Sequence, residues 1–415
     1  MEPIRVLFIS YDGLTDPLGQ SQVLPYLVKL SELNYKITVV STEKEKNFLK
    51  NRVTIDSICK NAGIDWEFIF YTKNPPIFST IRDVSNLKKK VNELYKRSEF
   101  QIVHCRSYIA ALTGMYIKRK FKTKFLFDMR GFWADERVDG GIWNLNNPVF
   151  KLVYNFFKTK EKAYFLSADA AVSLTYNGKK EIVSWDYMRH AKYEISVIPC
   201  CADLNYFNYR EIDENISVKY ELGISLDNKV ICYLGSTGTW YMIDEMLDYF
   251  KIHLEKYPKT TFLWITKDNP NDILQLSKER GIDSKVVIKG VERKELPQLL
   301  SICDASIFFI KPLYSKKASS PTKMAELLGM GIPLICNTGV GDTDEIVEKE
   351  KVGLVAQEFT EKSYRELVES FDKLLNIPKS QLRSVAQKYF SLDTGVKQYE
   401  AIYKKIIADY ECEIK

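Results

Sequence analysis

Short apolar runs alternate with longer amphipathic stretches along this chain, and the alternation comes in two successive series. Short buried runs read as strands and the stretches between them as crossover helices, which is the pattern of an α/β protein with mostly parallel sheets. In the first series strands are expected at 4–9, 36–40, 66–70, 101–104, 123–127, 169–173 and 195–198. Helical patterns fill the gaps, among them 20–33, 80–98 and 147–166. The segment from Pro199 through Cys200, Cys201 and Asp203 to Asn208 has no period, and a charged stretch follows it to about 226. The second series places strands at 229–234, 260–265, 285–289, 304–310, 332–336 and 352–355. Two similar α/β domains facing a central cleft are therefore expected, spanning 1–203 and 204–392, with a last helix from 393 packing back across the first.

The composition removes several function classes. A net charge of +6 over 415 residues is small, so nucleic acid is not an expected partner, while a mild attraction to anionic substrates or lipid headgroups is allowed. The eight cysteines are scattered, several inside apolar runs, as in a reducing cytosolic protein. Cys200 and Cys201 have no second pair at zinc-ligand spacing. With only three histidines (His104, His190 and His253), neither a metal site nor another cofactor is expected. The chain runs directly into a strand without the pattern of a signal peptide, and no apolar stretch reaches the length of a membrane span. A cytoplasmic protein is expected, free or resting on the inner face of a membrane.

Four segments could carry chemistry. The first loop, Ser10 to Gln20, holds Gly13 and Gly19 before a helix, where backbone can approach a ligand. It lacks the G-x-G-x-x-G spacing, and the second strand, ending in Val39-Val40-Ser41, has no acid placed for a ribose, so a dinucleotide is disfavoured. His104 and Arg106 end the fourth strand, and Asp128 and Arg130 follow the fifth. An arginine at such an edge can grip phosphate or carboxylate with two parallel hydrogen bonds. The plainer reading is an Asp128–Arg130 ion pair that shapes the turn.

Gly235-Ser236-Thr237-Gly238-Thr239-Trp240-Tyr241 ends the first strand of the second series, as a phosphate-binding turn or a simple tight one. Gly290 is placed to border a nucleobase. The richest segment runs from Lys311 to Leu328. Ser320 followed by Pro321 is expected to cap and open a helix, with Ser319, Thr322 and Lys323 at its positive end. Together with Lys311, Lys316 and Lys317 this is a credible diphosphate site, and Glu326, one turn deeper, can accept from ribose hydroxyls. A helix ion pair between Lys323 and Glu326 is the bland alternative.

Taken in order, these segments resemble the large family of retaining two-domain glycosyltransferases numbered four (group 1), with the GT-B fold of two Rossmann-like domains. The likeness includes Val197-Ile198-Pro199 through Asp203 and Phe207, Ala305 onward, and Gly329-Met330-Gly331-Ile332-Pro333-Leu334-Ile335. Gly339, Glu345, Gly353 and the closing Tyr389-Phe390-Ser391 continue it. The family carries a pair of glutamates at fixed spacing; Glu326 matches the second, and the first would fall at Ala318. Arg and Lys often found in the turn near Ser236 and Met242 are also missing, and Lys323 looks like their replacement. Arg130 stands near a position that is histidine in many relatives. Asp128-x-Arg130, Ser320-Pro321-Thr322-Lys323 and Gly19-Gln20-Ser21-Gln22 are similar to a bacterial surface-polysaccharide subgroup.

The resemblance implies metal-independent transfer of a sugar from a nucleotide donor to a glycan or lipid-linked acceptor, with retention. Lys323 would lie on phosphate and Glu326 on ribose, while Arg130 would orient donor or acceptor. The donor contacts are expected at Gly19, Gly235, Ser236, Thr237, Gly290, Ser319, Ser320 and Thr322, and the acceptor side at His104, Arg106 and Asp128. The stretch 150–165 mixes Tyr154, Phe156, Phe157 and Tyr164 with Lys158, Lys160 and Lys162, which suits a membrane surface or an ordinary core helix. Two rival readings remain: a sugar-nucleotide 2-epimerase of the same fold, and a non-catalytic sugar-nucleotide binder.

Overall fold

The computed structural model of the chain describes residues 2–211 and 216–414. It divides into two compact units, Met1–Pro199 with Leu392–Lys415, and Cys200–Ser391. The breaks fall after Pro199, the first residue of the aperiodic segment, and after Ser391.

The first unit is built on a parallel sheet of seven strands: β1 (Ile4–Ser10), β2 (Tyr35–Glu43), β3 (Asp65–Phe70), β4 (Ile102–Arg106), β5 (Lys124–Asp128), β6 (Ala170–Ser173) and β7 (Ser196–Val197). Their order is β3-β2-β1-β4-β5-β6-β7. Central strands covered on both faces are near-continuous apolar runs, and β4 and β5 are buried at every position, with His104, Arg106, Lys124 and Asp128 as their buried polar residues. The helical run expected at 20–33 is two helices, Pro17–Gln22 and Leu24–Ser31, which meet at Val23. Pro25 follows in the first turn of the second helix and lacks the N–H that a continuous helix would need there. The terminal helix Leu392–Ile414 belongs to this unit. It packs on Leu24–Ser31, with Tyr399 edge-on to Tyr26 and Asp393 2.5 Å from Lys29.

The second unit repeats the plan with six parallel strands: β8 (Lys229–Leu234), β9 (Thr260–Ile265), β10 (Val286–Lys289), β11 (Ala305–Ile307), β12 (Leu334–Asn337) and β13 (Gly353–Ala356). Their order is β10-β9-β8-β11-β12-β13. β11 is shorter than its apolar run: beyond Ile307 the chain leaves the ladder, and Phe308 and Phe309 pack in the core outside it. Arg383, on the helix Lys379–Phe390, is buried and donates to three carbonyl oxygens. These belong to Leu204 at 2.6 Å, Phe207 at 2.8 Å and Gly329 at 3.0 Å. One guanidinium therefore ties the start of this unit to the end of the helix Thr322–Gly329, satisfying carbonyls that would otherwise be buried without a donor.

Candidate functional site

In the second sheet β8 and β11 are neighbours with helical crossovers leaving in opposite directions, and loops diverging from such a point open a crevice at the strands' carboxyl ends. β8 runs into Gly235, whose φ is +135°. The turn after it is pinned on two sides. The Tyr233 hydroxyl donates to the Ser236 carbonyl oxygen. The Thr237 amide and hydroxyl donate to Asp268 Oδ2 at 2.7 and 3.3 Å. The Gly235 amide is itself given to the Ile265 carbonyl at 3.0 Å. Two of the amides at this turn, those of Gly235 and Thr237, are thus bonded within the unit.

The turn also makes room for Lys323. A Cβ on Gly235 would lie 2.9 Å from Lys323 Nζ. The ammonium sits 4.2 Å from the centre of the Tyr233 ring and 4.0 Å from that of Tyr241, and among the described residues it has no hydrogen-bond partner. Ring faces attract a cation, which is why the site tolerates it. Burial pushes the Lys323 ammonium well below the usual lysine value, against the opposing pull of Glu326. Lys316 is also buried, its ammonium 3.8 Å from the Trp240 ring, whereas Lys311 and Lys317 are exposed. Of the four lysines expected together, two lie against the aromatic residues of this turn.

The helix Thr322–Gly329 starts one residue later than expected. Pro321 occupies the cap position with no side-chain hydrogen bond, and Ser320 Oγ instead accepts the Cys200 amide at 3.1 Å. The first-turn amides, including those of Thr322 and Lys323, are therefore not capped by a side chain, the condition under which a helix start receives an anion. Ser319 is half-buried beside it and Ala318 is fully buried.

Glu326 does not pair with Lys323. Its partner is Arg293, whose Nη1 donates to Oε1 at 3.0 Å. Burial raises the Glu326 carboxyl above its ordinary value, and Arg293 and Lys323 oppose that rise. Gly290 borders a pocket of about 650 Å³ lined by Thr266, Lys267, Asp268, Leu274, Ile288 and Glu292.

The first-unit residues form a separate group. His104 is buried, with Nδ1 2.7 Å from the Tyr403 hydroxyl and Nε2 3.4 Å from Asp128. Burial lowers its basicity. It is a packed core group and not an edge facing substrate. Asp128 Oδ2 accepts from Tyr399 at 2.9 Å, while Arg130 Nη1 is 4.0 Å from Oδ1. Burial would raise the Asp128 carboxyl, but Arg130, His104 and Arg106 hold it below the ordinary value. Arg130 sits at a φ of +60°, unusual for a side-chain-bearing residue, and is nearly buried. Arg106 is buried with Nε 3.7 Å from Asp12.

Gly19 has a packing explanation, because a Cβ there would lie 2.0 Å from the Gly13 carbonyl oxygen. β2 also runs on to an acid that the sequence reading did not place, Glu43. Its carboxylate takes the amides of Leu14 and Thr15 and the hydroxyls of Thr15 and Ser41, so it braces the first loop. Among the described residues no three His, Cys, Asp or Glu side chains gather as metal ligands. Arg293 and Tyr233 carry no local pattern that marks them as site residues. Arg293 is three residues beyond Gly290, and its relation to Glu326 spans a separation that no local pattern reports.

Residues 217–389 match the family model described as "Glycosyl transferases group 1". The second unit is therefore similar in sequence to group 1 glycosyl transferases. No curated protein sequence matches the chain. Solved structures match it along nearly its full length at low identity. HepE of Anabaena, solved with UDP and glucose, gives a TM-score of 0.68 at 13% identity, with 97% of this chain and 99% of that one covered. Sucrose-phosphate synthase of Thermosynechococcus elongatus gives 0.69 at 15%, covering 98% and 100%. A putative UDP-N-acetylglucosamine 2-epimerase of Listeria monocytogenes gives 0.58 at 14%, covering 99% and 98%. Proteins with different names thus share this architecture, and the likeness establishes the fold: two α/β units of the GT-B type.

Within the second unit the clearance at Gly235 is directly testable. Gly235→Ala places a Cβ against Lys323 and forces a side-chain residue to φ +135°. Strain of this kind costs on the order of 1–3 kcal/mol. Urea unfolding is expected to show a loss of that size, and an unchanged midpoint would show that the turn is not constrained by the lysine.

Proposed function

We propose that the chain transfers a sugar from a nucleoside-diphosphate donor to a glycan or lipid-linked acceptor, with retention at the anomeric carbon and without a metal ion. The observation that carries this reading is the buried, unbonded ammonium of Lys323 beneath the Gly235 turn, at the uncapped start of the helix that also carries Glu326. A desolvated cation beside unbonded helix amides is matched by a diphosphate. As the glycosidic bond breaks, negative charge grows on the departing nucleotide, and a fixed cation that needs no reorganisation stabilises that charge best.

In this reading Lys323 and the amides of Thr322 and Lys323 receive the diphosphate. Glu326 accepts from the ribose, and the pocket at Gly290 takes the base. Ser319, next to Ala318, stands nearest the place of the missing glutamate and contacts the sugar. Retention is what the family resemblance implies, through attack from the leaving-group face with no covalent intermediate assigned. Arg130 is proposed to orient the acceptor, with Arg106 and Asp128 shaping its loop. A surface-polysaccharide role follows from the resemblance of Asp128-x-Arg130 and Ser320-Pro321-Thr322-Lys323 to that subgroup. The cytoplasm, where nucleotide sugars are available, is the proposed compartment.

Thermal stabilisation by a panel of nucleotide sugars in EDTA tests the donor assignment. A binder at a hundredfold above its Kd stabilises by about 2.7 kcal/mol. One donor is expected to raise the melting temperature of the wild type and not of Glu326→Ala. No shift with any donor would overturn the assignment.

Membrane contact is a further part of the proposal, on narrower ground than the sequence offered. Phe157, Tyr164 and Phe165 are core residues, and Lys158 pairs with Asp135 and Glu161 at 2.9 and 2.6 Å. On the same helix, Pro148–Ser167, Val149, Leu152 and Phe156 are exposed at spacings of three and four, so they share one face. No helix among the described residues is long and apolar enough to cross a membrane. Flotation with anionic liposomes should retain the wild type and release Leu152→Glu/Phe156→Glu; equal retention of both would remove this face from the account.

A further inference from the structure

A carboxylate as buried as that of Glu326 needs a partner, and the chain supplies one from a distant loop rather than from the neighbouring lysine. Arg293 Nη1 donates to Oε1 at 3.0 Å, with Glu326 8% and Arg293 34% exposed. Among the described residues no other hydrogen bond reaches this carboxylate, so Oε2 is without a protein donor. One oxygen is held and the other is open.

Arg293 is itself held from several directions. Its guanidinium lies 5.2 Å from the Phe207 ring centre and 5.9 Å from that of Tyr206. The Tyr206 hydroxyl donates to the Arg293 carbonyl oxygen at 2.7 Å. Its backbone forms the turn Arg293–Glu295, closed by a reciprocal capping box between Glu292 and Glu295. Glu292 is in turn 2.8 Å from Lys267, on the wall of the pocket that Gly290 borders. An exposed ion pair contributes little and moves freely. This one has its cation fixed against rings and a capped turn, and its anion on a helix anchored by Arg383.

We propose that Arg293 is a positioning residue: it grips Glu326 by one oxygen and so presents the other to a ribose hydroxyl of the donor. This rests on the nucleotide reading given above and adds to it the residue that turns a buried carboxylate into a ribose acceptor. Removing Arg293 leaves Glu326 in place but free to rotate and without its neutralising charge. The effect therefore falls on recognition of the ribose and not on the diphosphate, which Lys323 receives.

Calorimetric binding of the uracil, guanine and adenine nucleoside diphosphates, each in ribo, 2′-deoxy and 3′-deoxy form, separates these contributions. A hydrogen bond to a charged group corresponds to roughly a tenfold or larger preference. The wild type is expected to prefer the ribonucleotide to at least one deoxy form by that margin. Arg293→Ala should bring the ratio close to one by weakening the ribo form alone, and Arg293→Lys should restore part of it. A ratio unchanged in Arg293→Ala, with folding verified by circular dichroism, overturns the proposal. If Arg293→Ala does not fold, Arg293→Gln carries the same comparison, and a retained ratio there overturns it equally. Nucleotide binding by the wild type with no ribose preference removes Glu326 from the ribose and overturns this inference while leaving the diphosphate reading standing. No binding of any nucleotide defeats both.

Discussion

Lys323 and Glu326 are buried three residues apart on one short helix without pairing, and the organisation of the second unit follows from how each is accommodated. Two charges so placed would be destabilising if left alone, because the surroundings cannot replace the water they lose. The lysine is met by the faces of Tyr233 and Tyr241 and by the space that Gly235 leaves. The glutamate is met by Arg293, from the loop beyond β10. Arg383 fixes the far end of the helix by its last carbonyl and the Leu204–Phe207 segment on which Arg293 rests. Each partner comes from a different part of the chain, so the pair acquires its environment only when the whole unit has folded.

This arrangement separates two tasks that an ion pair would have merged. A Lys323–Glu326 bridge would neutralise both groups and leave neither for a ligand. Held apart, the lysine remains a cation without a hydrogen-bonded anion, and the glutamate keeps one oxygen open. The first unit treats its charges differently. Asp128 is surrounded by His104, Tyr399, Arg130 and Arg106, and two of the groups around this cluster, Tyr399 and Tyr403, come from the terminal helix. That cluster is interlocked, and what it fixes is the strained loop position of Arg130.

Much of the fold was legible because parallel strands covered on both faces are near-continuous apolar runs, and β8 and β9 declare themselves as such. Ends were harder to read. β2 continues through Ser41 and Thr42 to Glu43 because the first loop supplies donors for that carboxylate, a condition invisible in the strand itself. Ser320 looked like a helix cap by residue type, yet its hydroxyl was claimed by the Cys200 amide, far away in sequence. In the same way Lys323 and Glu326 were recognisable as site residues from their helix, while Arg293 was not, since no spacing rule links it to Glu326 across β11. Gly235 was singled out for phosphate contact, and the structure gives it a further reason: clearance for a side chain beneath it.

The central claim is that Lys323 waits, desolvated, for the diphosphate of a donor. Burial weakens the hold of Lys323 on its proton in the free protein, and an adjacent dianion strengthens it, so binding is coupled to proton uptake and weakens as pH rises. Calorimetry of nucleoside diphosphate binding near pH ~8.5, where the phosphate itself is fully ionised, in two buffers of different ionisation enthalpy measures this directly. The account predicts net proton uptake by the wild type and its disappearance, with much weaker binding, in Lys323→Met. Equal affinity of the two proteins with no proton exchanged would contradict it.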